Sequence, residues 1–257
     1  MQLEVSVLTD AGGRPRNEDA YGFWSGGGGC FVVVSDGAGG HGAGDVASKL
    51  AVRVVLASFQ DDPQCSGEGI TAALANAHRA ILAEQAQSDA QAGMRATATV
   101  LAIDTVRHLA AWGHVGDTRL YCFRTRKILA QTKDHSVVQR LVDAGYLKPA
   151  ATRESTERSR LFAALGHDGE NVASVGATDF VIEGGDAFLL CTDGFWEYVD
   201  EPAMEAALAS AVSGADWLRS MEAEVRRAGG AEQDNFSAVA VWCTEDRKST
   251  RLNSSHG

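Results

Sequence analysis

The sequence predicts an α+β fold in which helices cover sheets. Two observations carry that expectation. Strand-like segments come in groups with paired helices between them, not in strict βαβ alternation. Two apolar runs, Phe31–Ser35 and Phe188–Thr192, have the length of buried strands, and each delivers an aspartate, Asp36 or Asp193, into an Asp-Gly step.

The elements follow in order. Gln2 to Thr9 alternates like a half-buried strand, and Phe31 to Ser35 is the next clear one. Between Gly44 and Ser58, Val46, Ala47, Leu50, Ala51, Val54 and Val55 mark one face of a helix. After a polar loop from Gln60 to Gly69, Ile70, Ala73, Leu74, Ala77, Ile81 and Leu82 mark a second. Three strand-like segments follow, Ala96–Asp104, Ala110–Val115 and Arg119–Arg124. Asp134 is expected to cap a helix running through Val142. The polar, weakly periodic stretch from Gly145 to Glu170 reads as a mobile insertion. Strands are expected again at Ala173–Ile182 and Ala187–Thr192, helices around Ala203–Val212 and Asp216–Arg227, and a last strand at Phe236–Cys243.

Bulk properties exclude several classes. The 257 residues are 45% hydrophobic, enough for a full core. The formal charge is −11, from 23 basic and 34 acidic residues, which argues against a nucleic-acid-binding surface. No apolar run approaches the roughly 20 residues of a membrane span, and the N-terminus lacks the pattern of a secretory signal. The five cysteines, Cys30, Cys65, Cys122, Cys191 and Cys243, are scattered and odd in number, as expected of free thiols in a reducing cytoplasm. Residues 246–257 match one reading frame of a common short-read sequencing adapter; they are expected to be read-through, which leaves a single domain over 1–244.

The chemistry is carried by acidic residues. Carboxylates placed at strand ends by separate segments can converge on hard, oxygen-loving cations such as Mg²⁺ or Mn²⁺. Taken singly, each has a plainer reading. Asp-Gly is a common hairpin turn, Glu18-Asp19 a solvated turn, Asp117 a hairpin cap, Asp234-Asn235 a turn opening the last strand, and Arg14 a surface arginine. Asp36, Asp193 and Asp234 stand best because all three abut apolar strand-like runs.

The motifs also run in a familiar order: Thr9-Asp10-Ala11-Gly12-Gly13-Arg14-Pro15-Arg16-Asn17-Glu18-Asp19, Asp36-Gly37-Ala38-Gly39-Gly40-His41, Gly116-Asp117-Thr118-Arg119, Asp134-His135-Ser136, Cys191-Thr192-Asp193-Gly194-Phe195-Trp196 and Gln233-Asp234-Asn235-Phe236-Ser237. In this order they resemble the metal-dependent serine/threonine protein phosphatases of type 2C, in particular compact bacterial members. The resemblance implies a four-layer α-β-β-α sandwich of two antiparallel sheets flanked by helices, with a mobile flap at about 145–170. It implies that Asp36 bridges two Mn²⁺ or Mg²⁺ ions, with the Gly37 carbonyl on the second and Asp193 and Asp234 on the first. Glu18 and Asp19 would hold metal-bound waters, Asp117 would bind the third ion of bacterial members, and Arg14 would grip the substrate phosphate.

Such a site suits phosphomonoester hydrolysis. Two cations neutralise the dianion and lower the pKa of a shared water, whose hydroxide attacks phosphorus in line. A planar guanidinium holds two phosphate oxygens at once. The expected substrates are phosphorylated proteins, products of a partner serine/threonine kinase, in the cytoplasm, with no nucleic acid or membrane involved. Two departures stand out. Ala38 occupies the place where many animal and plant members carry a histidine, which leaves the proton donor unassigned. Met94-Arg95-Ala96-Thr97 stands where relatives usually show a glycine-threonine pair.

Two other functions compete. Gly37-x-Gly39-x-x-Gly42 follows a strand and opens a helix, with Asp61-Asp62 further on, as in a dinucleotide-binding unit. Against it, Asp36 would face the pyrophosphate, and the next segment is a second helix instead of a parallel strand. A catalytically inactive member acting as a binding or regulatory module is the other; it would gain ground if a core aspartate were replaced, yet Asp36, Asp193 and Asp234 are all present.

Overall fold

The computed structural model describes residues 1–39, 43–87, 89–148, 151–167 and 173–244. Twelve strands are β1 Gln2–Asp10, β2 Ala20–Gly26, β3 Gly29–Ser35, β4 Gly37–Ala38, β5 Arg95–Ala96, β6 Ala98–Asp104, β7 Leu109–Val115, β8 Arg119–Arg124, β9 Lys127–Gln131, β10 Ser174–Val181, β11 Ala187–Cys191 and β12 Phe236–Thr244. The helices are α1 Ala43–Asp61, α2 Gly67–Gln85, α3 Val137–Asp143, α4 Ala151–Glu154, α5 Asp193–Trp196, α6 Glu201–Ser210 and α7 Gly214–Gly229.

Ten strands form two five-stranded sheets, β1-β12-β11-β8-β9 and β10-β7-β6-β3-β2, and β4 pairs with β5 in a short separate ladder. Every pairing is antiparallel. Three apolar layers hold the molecule together. Val32, Val34, Leu101, Leu190, Val239 and Val241 fill the space between the sheets. On the other face of the β3-containing sheet, α1 and α2 bury Ala47, Val55, Phe59, Leu74 and Ile81 against Phe31 and Val33. On the outer face of the β11-containing sheet, α6 and α7 bury Met204, Leu208, Trp217 and Met221 against Phe123 and Leu189. Helix–sheet–sheet–helix is therefore the layer order, as the resemblance implied. It leaves no parallel βαβ unit, so the dinucleotide-binding alternative fails on topology: β3 is flanked by antiparallel β2 and β6.

Local chemistry sets the helix ends. Ser66 accepts from the Gly69 N–H at 3.1 Å, Asp200 from Ala203 at 2.8 Å and Ser213 from Asp216 at 3.1 Å, which satisfies first-turn donors that have no partner within the helix. The expected capping role of Asp134 is corrected here. Ser136 caps α3, accepting from Gln139 N at 3.1 Å, while Asp134 is buried in an ion pair described below. Where it is described, the insertion expected at about 145–170 contacts the body of the domain. Leu165 exchanges backbone hydrogen bonds with Ala96 at 3.1 and 2.7 Å, Phe162 N–H donates to His135 O at 2.9 Å, and Arg153 meets Glu201 at 2.8 Å.

Candidate metal centre and substrate groove

The loops at one end of the sandwich enclose an open groove of about 960 Å³, and its lining contains Glu18, Asp36, Asp117, Asp193 and Asp234. Five separate places in the chain supply these carboxylates: the β1–β2 loop, the exit of β3, the β7–β8 turn, the start of α5 and the entry to β12. Arg14 and Arg16 line the same groove. Asp19 does not; it is buried beside the wall, and its Oδ2 accepts from Thr192 Oγ1 at 2.9 Å.

Glycine follows both strand-borne aspartates for want of space. A Cβ on Gly37 would sit 2.0 Å from the Gly44 carbonyl oxygen, and one on Gly194 would sit 2.0 Å from the Asn235 carbonyl oxygen. Neither residue has positive φ. The Asp-Gly steps are thus close backbone crossings and not hairpin turns. One lets the N-terminus of α1 approach Asp36, and the other brings Asp193 against Asp234-Asn235.

Hydrogen bonds fix each carrier. Thr97 N–H donates to Asp36 O at 2.8 Å, and Asp36 N–H donates to Thr97 Oγ1 at 3.2 Å. Asp117 stands on a turn held by His135, whose N–H donates to Gly116 O at 2.9 Å while its Nδ1 accepts from Gly116 N–H at 3.2 Å. Trp196 Nε1–H donates to Asp117 O at 2.9 Å, so α5 connects Asp193 to Asp117. Arg119 stacks on Trp196 at 3.4 Å and makes two bonds to Asp134, at 2.8 and 2.7 Å, fully inside the protein.

Asn235 is the clip that sequence reasoning left without a role. Its Nδ2 donates to Ala11 O at 2.9 Å and Arg16 O at 2.8 Å, and its Oδ1 accepts from Glu18 N–H at 2.7 Å. One side chain therefore pins the whole Arg14–Glu18 loop beside Asp234. The signal available was its place inside the Asp234-Asn235 motif. Gly40 and His41, also in that motif set, lie outside the described residues.

The electrostatics are those of crowded like charges. Burial pushes the Asp36 carboxyl well up, and Asp193, Asp19, Asp117 and Asp234 push it further. Burial and then Asp193 and Asp134 do the same to Asp117. Asp193 is pushed up to about 7 by burial and by Glu197, Asp19 and Asp234, and Asp19 to about 6, mainly by burial. Glu18 moves up as well, from burial and from Asp45. Asp36 and Asp193 keep part of their surface open to the groove although dense protein surrounds each carboxylate. Arg14 bonds Asp234 at 2.9 Å, with both side chains more than half exposed (54% and 52%).

Among the described residues, no three His, Cys, Asp or Glu side chains close on one point as a finished ion cage. The donor set itself fits a hard divalent cation: it is all oxygen, it repels itself, and Asp19 Oδ1 is buried without a hydrogen-bond partner.

An acid-lined groove with an arginine at its mouth, at the end of a double antiparallel sandwich, defines a phosphate-ester hydrolase of the metal-dependent kind. The protein phosphatase 2C model matches residues 12–233. Protein phosphatase PhpP of Streptococcus pneumoniae is 28% identical over 249 residues, covering 95% of this chain and 99% of the relative. The serine/threonine phosphatase PstP/Ppp of Mycobacterium tuberculosis superimposes with a TM-score of 0.81 at 28% identity, over 95% of this chain and 99% of that one. The PstP catalytic domain in complex with two manganese ions gives 0.77 at 29% identity, over 95% and 99%. The chain belongs to the protein phosphatase 2C family, and with it to the protein phosphatases.

Proposed function

We propose that the chain hydrolyses phosphoserine and phosphothreonine in proteins at the acid-lined groove. The observation that carries this is the convergence of Glu18, Asp36, Asp117, Asp193 and Asp234 in one groove with Arg14. Asp36, Asp193 and Asp234, with the Gly37 carbonyl, would hold two Mn²⁺ or Mg²⁺ ions, Asp117 a third, and Glu18 and Asp19 their waters. When bound, the ions supply Lewis acidity and the positive charge that a phosphate dianion needs.

The chain's own residues bind and position. The guanidinium of Arg14 takes two phosphate oxygens in exchange for Asp234. Asn235 keeps that loop in place, and the Gly116 turn under His135 presents Asp117. The intact core aspartates favour catalysis over the inactive binding module. The partners would be phosphorylated proteins made by a serine/threonine kinase. No helix among the described residues is long and apolar enough to cross a membrane, in keeping with a cytoplasmic site of action. The test is hydrolysis of matched phosphoserine, phosphothreonine and phosphotyrosine peptides by the full chain with Mn²⁺ or Mg²⁺. The first two should be cleaved and the third should lag; preference for phosphotyrosine would refute the assignment.

A further inference from the structure

We propose that Arg95 is a specificity residue of this groove, one that holds an anionic side chain of the substrate a few residues from the phosphorylated one. This rests on the phosphatase reading above and adds to it a preference among phosphoproteins.

Arg95 lines the same groove as the acid cluster. It comes from a different wall than Arg14 and Arg16: it sits on β5, directly opposite Ala38 of β4. The backbone on either side is stapled. Thr97 is bonded to Asp36 in both directions, and Ala96 exchanges two hydrogen bonds with Leu165 of the insertion. The guanidinium therefore starts from a fixed point next to the metal-binding aspartate.

Its partners are missing where others have theirs. Arg14 is engaged by Asp234, Arg158 by Glu197 and Arg119 by Asp134. Arg95 is exposed and makes no ion pair or side-chain hydrogen bond among the described residues. In a chain of net charge −11, carboxylates are plentiful, yet this groove arginine has no ion pair among the described residues, which makes it available to an incoming anion. The cluster carboxylates are committed to cations and the phosphate to Arg14; of the two other groove arginines, Arg16 shares the Arg14 loop, and Arg95 is the one that β5 carries in, opposite Ala38. Arg95 faces the residue two beyond Asp36, and a strand advances about 3.3 Å per residue. An extended substrate would thus bring to it a side chain roughly two or three residues from the phosphorylated one. A planar carboxylate and a tetrahedral second phosphate can each present two oxygens to the fork of a guanidinium.

The experiment uses the full chain with Mn²⁺ and a series of otherwise uncharged phosphothreonine peptides. A single Glu is walked from roughly four residues before the phosphothreonine to four after, and a second phosphothreonine replaces it in a parallel arm. Glu at one or two neighbouring positions should raise kcat/KM about fivefold, through KM, and the gain should shrink in about 0.5 M salt. A larger gain in the phosphate arm at those positions identifies a doubly phosphorylated segment as the better ligand, and a gain confined to Glu identifies an acidic one. Arg95→Ala should flatten the profile, Arg95→Lys should keep part of it, and Arg95→Glu should favour Lys at the same positions. Hydrolysis of p-nitrophenyl phosphate, which reaches only the acid cluster, should stay within about twofold for all three variants. A flat profile in the unaltered protein overturns the proposal, as does a profile that survives Arg95→Ala. So does an equal loss of p-nitrophenyl phosphate hydrolysis in the variants, which would make Arg95 a support of the site instead of a reader of substrate. If the unaltered protein cleaves neither substrate class, the phosphatase reading itself falls.

Discussion

Arg14 pairs with Asp234 at 2.9 Å, and on the proposed reading a substrate phosphate takes its guanidinium over. Because the ground-state dianion already carries the charge that the guanidinium recognises, Arg14→Ala should raise KM for phosphopeptides more than it lowers kcat. Arg14→Lys should recover only part, since a point charge cannot make the planar two-oxygen contact. Arg16→Ala is the control, and steady-state kinetics decide: a larger KM effect there would move the phosphate contact to Arg16. The carboxylates behave differently. Asp36→Ala should abolish nearly all turnover while the protein stays folded, and calorimetric titration should show Mn²⁺ affinity lost with it. Asp117→Ala should lower turnover and leave the tight manganese affinity intact. Unchanged affinity in Asp36→Ala would count against its place at the metals.

At the scale of elements, the buried Arg119–Asp134 pair and its stack on Trp196 link β8, the segment before α3, and α5. Removing one partner leaves an uncompensated buried charge, at a cost of about 3–5 kcal/mol. Arg119→Met should show that loss in urea unfolding and should also lower turnover, because Trp196 supports Asp117. Arg119→Met combined with Asp134→Leu should regain most of the stability; an unchanged midpoint in the single variant would mean the pair contributes little. The long amphipathic elements were legible in sequence. α1, α2, α7, β3, β8 and β11 stand where periodicity puts them, within a few residues. Of the four edge strands, β1 and β10 were legible too, whereas β2 and β9 were not. In β2 the apolar Tyr21 and Phe23 are exposed while Ala20, Gly22 and Trp24 turn to the helix side only partly buried, and β9 is short with Lys127, Leu129 and Gln131 exposed, so neither presents a clean buried face. Asp134 misled because capping and ion pairing ask for the same residue type. The carboxylates that line the groove were legible as a set, from strand ends and motif order, and not singly. Asn235 and His135 were not, because their work is to hold backbone from distant segments, which no local pattern encodes.

The acid cluster of the whole molecule, raised first by burial and then by mutual repulsion, should show as a dependence of stability on pH. A carboxylate held above its ordinary value keeps its proton in the folded state after the unfolded chain has lost it. Its contribution is therefore full below the unfolded value near 3.8 and is lost as pH rises through the folded value, about 6 for Asp19 and about 7 for Asp193. Without metal, Asp193→Asn should already be the more stable protein near pH 5, and its advantage should grow by on the order of 2 kcal/mol by pH 8, after allowance for solvent in the groove. Saturating Mn²⁺ should reverse that order, because binding favours the folded, deprotonated cluster. Chemical denaturation at the two pH values checks it; a constant difference would mean that the cluster is not charged against itself.

The central claim, that this cluster works only as a metal site for phosphate-ester hydrolysis, is tested most directly by turnover of a phosphothreonine peptide in protein stripped with EDTA and then titrated with Mn²⁺. The account predicts no turnover in the stripped protein, recovery along a saturable manganese curve, and no recovery for Asp193→Asn at any concentration that restores the unaltered protein. Full turnover in the stripped protein, or normal recovery in Asp193→Asn, would contradict it.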